Sequence, residues 1–338
     1  MSEQVTSFVK DYVTAEGEDD KAATELKKYL QSEQTSQQPN SVRMDLFNYK
    51  TFNGIAAIHC AAKKKHTEIL LGLLSTSSQA ERIKLLECQS NDGRTALHYA
   101  AYDGYSEAID IMLNSIEDDG ERKKLLEKEA FDGITPLHYS SLFGGIEAVQ
   151  SILTKLTLSD RIALISKQST SGDTPLHHAA NCSDHASIEH ILGKIPSKKR
   201  LEVLRLQNQH GNTALHCATD NTAMSVSAIL KSVLPDDRPA LLSIRNADGR
   251  TAEQMANQKG NTDSVNCFRE LSPKSTKRKL TSNAQGMLIE FSHTGVYRDY
   301  LIMIYTFYFS FHDLVFSKIS KLRLIWLPDS TNIMSKPA

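Results

Sequence analysis

Apolar side chains recur along this chain at the spacing of one face of a helix. Ile69, Leu70, Leu73 and Leu74 form one such group, Ala108, Ile109, Met112 and Leu113 a second, and Ala148, Val149, Ile152 and Leu153 a third. No strand-like alternation recurs before about residue 270. Each group follows a shorter string that is itself repeated: NGIAAIHCAA from Asn53, DGRTALHYAA from Asp92, DGITPLHYSS from Asp132, SGDTPLHHAA from Ser171, HGNTALHCAT from His210 and a degraded DGRTAEQMAN from Asp248. The fixed points are His59, His98, His138, His177 and His216, with Gln254 in the sixth place, at steps of 39, 40, 39, 39 and 38 residues. The pattern predicts six units, each a turn followed by two short antiparallel helices. Thr caps the first helix, Pro fits its first position, and Leu opens its buried face. Asp-Gly before the cap supplies a turn with positive φ. Gly104, Gly144 and Gly260 mark where first helices stop. Lys65, Ser183 and Thr222 hold that place in three other units and predict less sharply set ends.

A second series runs beside the first. Arg82, Arg122, Arg161, Arg200 and Arg238 each stand 16 residues before the next His or its Gln254 counterpart, and an apolar pair such as Leu85-Leu86 or Leu164-Ile165 follows. This predicts a third, short helical turn in each connection. The same ruler finds Arg43 before Leu46-Phe47, so repetition begins upstream of His59. Residues 1–47 are expected to form a helical cap, 48–270 the array, 271–285 a basic linker and 286–338 an aromatic-rich tail. The sixth unit lacks the motif leucine, as suits a terminal repeat that meets water.

Thr135-Pro136-Leu137-His138 and Thr174-Pro175-Leu176-His177 resemble the T-P-L-H core of the ankyrin repeat. The period is about six residues longer than the family's usual 33. The resemblance implies an all-α solenoid with protruding β-turns, here with the extra helical turn. It also implies that turn tips and exposed first-helix positions line a concave surface used for protein partners. Carried onto this chain, those positions are Phe52, Arg94, Tyr102, Asp103, Phe131, Ile134, Leu142, Phe143, Asp173 and Asn181. The group of Phe131, Ile134, Leu142 and Phe143, with Tyr102 one unit away, reads as a binding hot spot. The alternative is that Leu142 and Phe143 fold inward.

Other chemistry is sparse. The motif histidines, about 10 Å apart in successive units, are too distant to share a metal and are expected to hydrogen-bond back to the capping Thr. His178, Cys182 and His185 offer nitrogen and sulfur, but no fourth ligand or CxxC pair stands near, so a polar patch is preferred to a metal site. The arginine series reads either as clamps between units or as an anion-binding stripe. No phosphate-binding loop, nucleophile elbow, HExxH or kinase signature occurs, which excludes the common enzyme classes. No cofactor or small-molecule substrate is expected.

Composition narrows the rest. The 338 residues are 40% hydrophobic and nearly neutral overall, which excludes bulk disorder. Residues 273–338 carry nine Lys/Arg against four Asp/Glu, leaving 30 against 36 for the body, a balance opposed to nucleic-acid binding. Five widely spaced cysteines read as free, buried thiols of a reducing compartment, and the opening residues lack a secretory pattern, so a cytoplasmic site is expected. Residues 291–326 hold 10 of the chain's 23 aromatics. Residues 300–316 are short for a membrane span but leave a tail anchor open. A segment docked on the stack and a segment under no folding constraint are the other two readings.

Overall fold

A computed structural model describes residues 2–16, 20–32, 49–182 and 184–272. The linker and tail from 273 onward, Arg43 with Leu46-Phe47, and Ser183 lie outside the described residues. Everything described belongs to one compact unit, Met1–Ser272. The described residues form nineteen α-helices and no strand.

Two helices open the chain, α1 (Ser2–Thr14) and α2 (Asp20–Gln31). Three helices then follow in each of the first five units. Unit 1 has α3 (Ala57–Lys63), α4 (Thr67–Ser75) and α5 (Gln79–Glu87). Unit 2 has α6 (Ala96–Tyr102), α7 (Ser106–Asn114) and α8 (Asp119–Glu127). Unit 3 has α9 (Pro136–Tyr139), α10 (Gly145–Thr154) and α11 (Leu158–Ile165). Unit 4 has α12 (Pro175–Asn181), α13 (His185–Gly193) and α14 (Ser197–Leu204). Unit 5 has α15 (Ala214–Ala218), α16 (Ala223–Ser232) and α17 (Arg238–Leu242), and unit 6 ends with α18 (Ala252–Gln258) and α19 (Thr262–Leu271).

First helices pack on first helices and second on second, while α1 and α2 cover α3 and α4 in the same manner. The third element is more than the single turn expected. In units 1 to 4 it is an α-helix of eight or nine residues, capped at its start by Ser78, Asp118 or Thr157 in the first three. In unit 5 two prolines shorten it to five residues behind a 3-10 turn, because neither can donate an N–H to the helix. Its apolar pair is what anchors it: Leu85, Leu86, Leu125, Leu126, Leu164 and Ile165 are all buried.

The turns are stitched by one main-chain hydrogen bond per interface. Asn91 N donates to Asn53 O, Phe131 N to Asp92 O, Thr170 N to Asp132 O, Gln209 N to Ser171 O and Ala247 N to His210 O, all within 2.8–3.0 Å. This close approach explains the turn glycine. At Gly211, with φ +69°, an added Cβ would lie 2.5 Å from the Ala247 nitrogen.

First-helix ends differ from expectation in three units. Lys65 takes the left-handed step itself, with φ +61°. Unit 5 has no left-handed residue at Thr222 and turns into α16 from extended backbone. In unit 3 the helix runs on as a π-helical turn, Ser140–Gly144, and the left-handed residue is Gly145 rather than Gly144. The double glycine lets the stop move by one residue. Such turns often mark functional places.

Candidate functional site

The five motif histidines are buried and do more than cap. Thr95, Thr135, Thr174 and Thr213 each place their Oγ1 2.8 Å from the Nδ1 of the histidine three residues on, and the backbone N–H of the same threonine donates to that Nδ1. Unit 1 has Ala56 there and keeps only the backbone bond. The other ring nitrogen, Nε2, reaches a carbonyl of the following unit for His98, His138, His177 and His216, at Ile134, Asp173, Asn212 and Arg250, and for His59 the Cys88 carbonyl that ends α5 of its own unit, all at 2.9–3.1 Å. A carbonyl only accepts, so Nε2 carries the proton and Nδ1 is bare. Each imidazole is therefore neutral, and the last four bridge one unit to the next. Burial pushes His59 and His98 down to about 4 and His138 to about 3, and lowers His177 and His216 as well. Gln254 reproduces the cap, with its Oε1 accepting from Thr251 N, and needs no second nitrogen because no unit follows α19 in the described array.

The arginines close on helix ends. Arg82 donates to Ser77 O and, across the interface, to Ser115 O; Arg200 donates to Ile195 O and Ser232 O; Arg238 donates to Leu230 O and Leu271 O. Arg122 and Arg161 stay within their own unit, donating to Glu117 O and Leu156 O, and Arg122 also meets the Asp119 carboxylate at 2.6 Å. A guanidinium at the negative end of a helix is well placed electrostatically. Arg82, Arg200 and Arg238 thus clamp one unit to the next, whereas Arg122 and Arg161 keep their Nε donors without a partner among the described residues.

Of the residues expected to meet a partner, the structure gathers some and separates others. The Tyr102 and Phe143 ring centres are 4.7 Å apart, and Tyr139 stands 5.7 Å from Tyr102. Tyr102 and Phe143 are 40% and 56% exposed, so Phe143 does not fold inward, while Leu142 is half-buried. Arg94 joins this group, its guanidinium carbon 5.0–5.9 Å from the centres of Tyr99, Tyr102 and Tyr139. Phe131 and Phe52 stand apart on turn tips, 66% and 97% exposed. Ile134 is half-buried and lends its carbonyl to His98. Asp103 and Asn181 are exposed. Asp173 is occupied by the turns: burial pushes its carboxyl up, but hydrogen bonds from Ser171 and Asn208 outweigh this and hold it below the usual range.

Three features were not singled out from sequence. Tyr99, Tyr139 and His178, each one residue after a motif histidine, pack edge-on against the histidine of the unit before, at 5.5–5.9 Å. Gln89, Gln168 and Gln207, nine residues before their histidines, each reach carbonyls of two successive turns. Asn221 donates to Ala180 O and Asn181 O, and Asn261 to Thr219 O and Asn221 O. The regular spacing of the first two series is the signal that could have found them.

His178 is committed to His138 by its edge contact, and no group of three His, Cys, Asp or Glu able to hold a metal occurs among the described residues. The cysteines are unpaired, but not all are buried as expected: Cys182 is exposed, while burial pushes Cys60 and Cys217 up to about 12.

With this geometry established, residues 23–124 match the family model for ankyrin repeats (3 copies). Residues 23–124 carry ankyrin repeats. The match reaches from α2 to α8, and the same ankyrin motif phase, cap and histidine bridge continue through units 3 to 5. Comparison with curated proteins gives no match. Ankyrin repeats are in general protein–protein interaction modules and typically not enzymes. Among the described residues no helix is long and apolar enough to cross a membrane; residues 300–316, the candidate tail anchor, lie outside them.

Proposed function

We propose that this chain is a non-enzymatic scaffold that binds a protein partner through its turn tips and exposed first-helix ends, the concave face of an ankyrin stack, and that it works in the cytoplasm. The observation that carries the reading is the exposed aromatic group of units 2 and 3. Gln89, Gln168, Gln207, Asn221 and Asn261 are turned to carbonyls of the stack itself, whereas Tyr102, flanked by Phe143 and Arg94, and Phe143 remain open to solvent. Exposed aromatic side chains with fixed neighbours supply most of the energy at protein interfaces.

Affinity capture with the tagged full chain and with a Phe131→Ala/Phe143→Ala variant tests this reading. Proteins retained by the first and lost by the second, at unchanged thermal stability, support it. Identical sets of captured proteins would move the binding face elsewhere on the stack.

A further inference from the structure

The aromatic group is built around a cation. The Arg94 Nε lies 3.0 Å from Asp92 Oδ2, and the guanidinium is flanked by the rings of Tyr99, Tyr102 and Tyr139. The guanidinium thus meets one carboxylate and the Tyr139 side chain, and these contacts hold it in place before any partner arrives. Beside it opens a cleft of 390 Å³ whose charged lining is Arg94 and Lys63 with Asp92 and Glu16, and to which Tyr99 and Asn91 also contribute. Lys63, Lys64 and Lys65 follow one another at the first-helix end of unit 1. Lys63 lies 3.3 Å from Glu16, and Lys65 Nζ lies 4.7 Å from the centre of the Tyr105 ring. Asp103 stands close enough for Lys63 and Lys64 to act on it, so Arg94 and the three lysines together face Asp92, Glu16 and Asp103, a local surplus of one positive charge. It is nonetheless opposite in sign to the body, where acids outnumber bases 36 to 30.

Along the same phase the character then changes. Units 2 and 3 show rings, unit 4 shows Asn181 and Cys182, and in unit 5 Asp220 is paired with Lys259. A basic end followed by an apolar centre gives the face a direction.

We infer that the first-helix face of units 1 to 3 recognises an extended peptide segment in which carboxylate side chains adjoin an aromatic or aliphatic anchor. The carboxylates meet Arg94 and the lysines, and the anchor lies on Tyr102 and Phe143. This rests on the protein-binding reading and narrows it to one class of partner. A guanidinium pre-ordered by ring stacking suits paired hydrogen bonds to a carboxylate, whereas a lysine offers only a point charge. Charges at the rim select the partner and speed encounter, while the rings supply affinity.

The test uses three fluorescein-labelled dodecapeptides on one Gly/Ser background, measured by anisotropy with the full chain. One carries four Asp or Glu around a Phe-Leu pair, the second has that pair replaced by Ser, and the third has the acids replaced by Lys. The first should bind at least tenfold more tightly than either other, and less tightly as salt rises. Arg94→Gln should weaken it at least tenfold, Arg94→Lys by less, and Tyr102→Ala/Phe143→Ala at least tenfold. If Arg94→Gln lowers thermal stability, Lys63→Gln/Lys64→Gln serves in its place, with several-fold weakening expected.

Equal binding of the lysine peptide, no binding of any probe, or insensitivity to both cationic variants overturns the inference. If the ring variant weakens the partners found by affinity capture while Arg94→Gln does not, acid selection fails and the binding face stands. If neither variant alters captured partners, the broader reading fails as well.

Discussion

Units 2 and 3 end their first helices in rings, and units 4 to 6 end theirs in amides. The second arrangement is closed. Asn221 spans the ends of α12 with two hydrogen bonds to Ala180 O and Asn181 O, and Asn261 does the same for unit 5. These side chains are occupied within the stack. In units 2 and 3 that end is held by Tyr102 and Phe143, with Tyr139 and the turn residue Arg94 packed beside Tyr102. Ring contacts saturate less of a side chain than two hydrogen bonds saturate of an amide. Two ends of one stack, built on one motif, are thus suited to different tasks: the amide end to cohesion and the ring end to contact with something else.

Acid should set the two regions apart most strongly. The histidine bridge is common to both, but the asparagine ladder does not titrate. A buried histidine whose folded pKa is lowered contributes its stability fully above about pH 6.5 and loses it as pH falls toward the folded value. His59 and His98 sit at about 4 and His138 at about 3, so the window runs from about pH 6.5 downward. Near pH 5 each of these three costs about 2 kcal/mol, and together about 6 kcal/mol, comparable to the whole stability of many domains. Hydrogen exchange on the full chain should show residues 57–154 losing protection at a higher pH than residues 175–271. Simultaneous loss would mean that the amide ladder adds no cohesion of its own.

Two single substitutions sharpen the contrast. Leu137→Ala removes a fully buried side chain from α9 and should lower stability by about 2–5 kcal/mol, seen as a clear fall in Tm. Asn221→Ala breaks two bonds to helix-end carbonyls and should cost about 1–2 kcal/mol, whereas Tyr102→Ala, at the equivalent end of unit 2, should cost about 1 kcal/mol or less. If the tyrosine proves the more costly of the two, the ring cluster is a packing device first.

Much of this fold was legible in residue spacing, because the stack repeats one solution to one problem. A buried imidazole at fixed phase, a turn glycine facing the next backbone and a Thr cap each leave a mark every 39 residues or so. The third helix is longer than its apolar pair alone implies, because Asp118 and Thr157 supply caps for a full helix. The candidate face was legible only in part. Which residues lie in an exposed phase follows from the period, but the hydrogen-bond partners of Asp173 and the arginines depend on how one unit sits on the next. The π turn at Ser140–Gly144 had one visible sign, the paired Gly144 and Gly145, and its effect on Phe143 is a matter of geometry alone.

The smallest expected change in stability belongs to the residues expected to matter most for binding. Phe131 and Phe143 are more than half exposed, and Phe143 touches Tyr102 by a single tilted ring contact. Little apolar surface returns to water when both become alanine, so the pair should lower stability by about 1 kcal/mol or less, far below a core phenylalanine at about 3–5 kcal/mol. At an interface the same truncation should cost about 2 kcal/mol or more, about 30-fold in affinity. Thermal melts and titration with a captured partner measure the two costs separately. A variant that melts as Leu137→Ala does would show that these rings hold the stack together, and the contrast between the ring end and the amide end would lose its functional meaning.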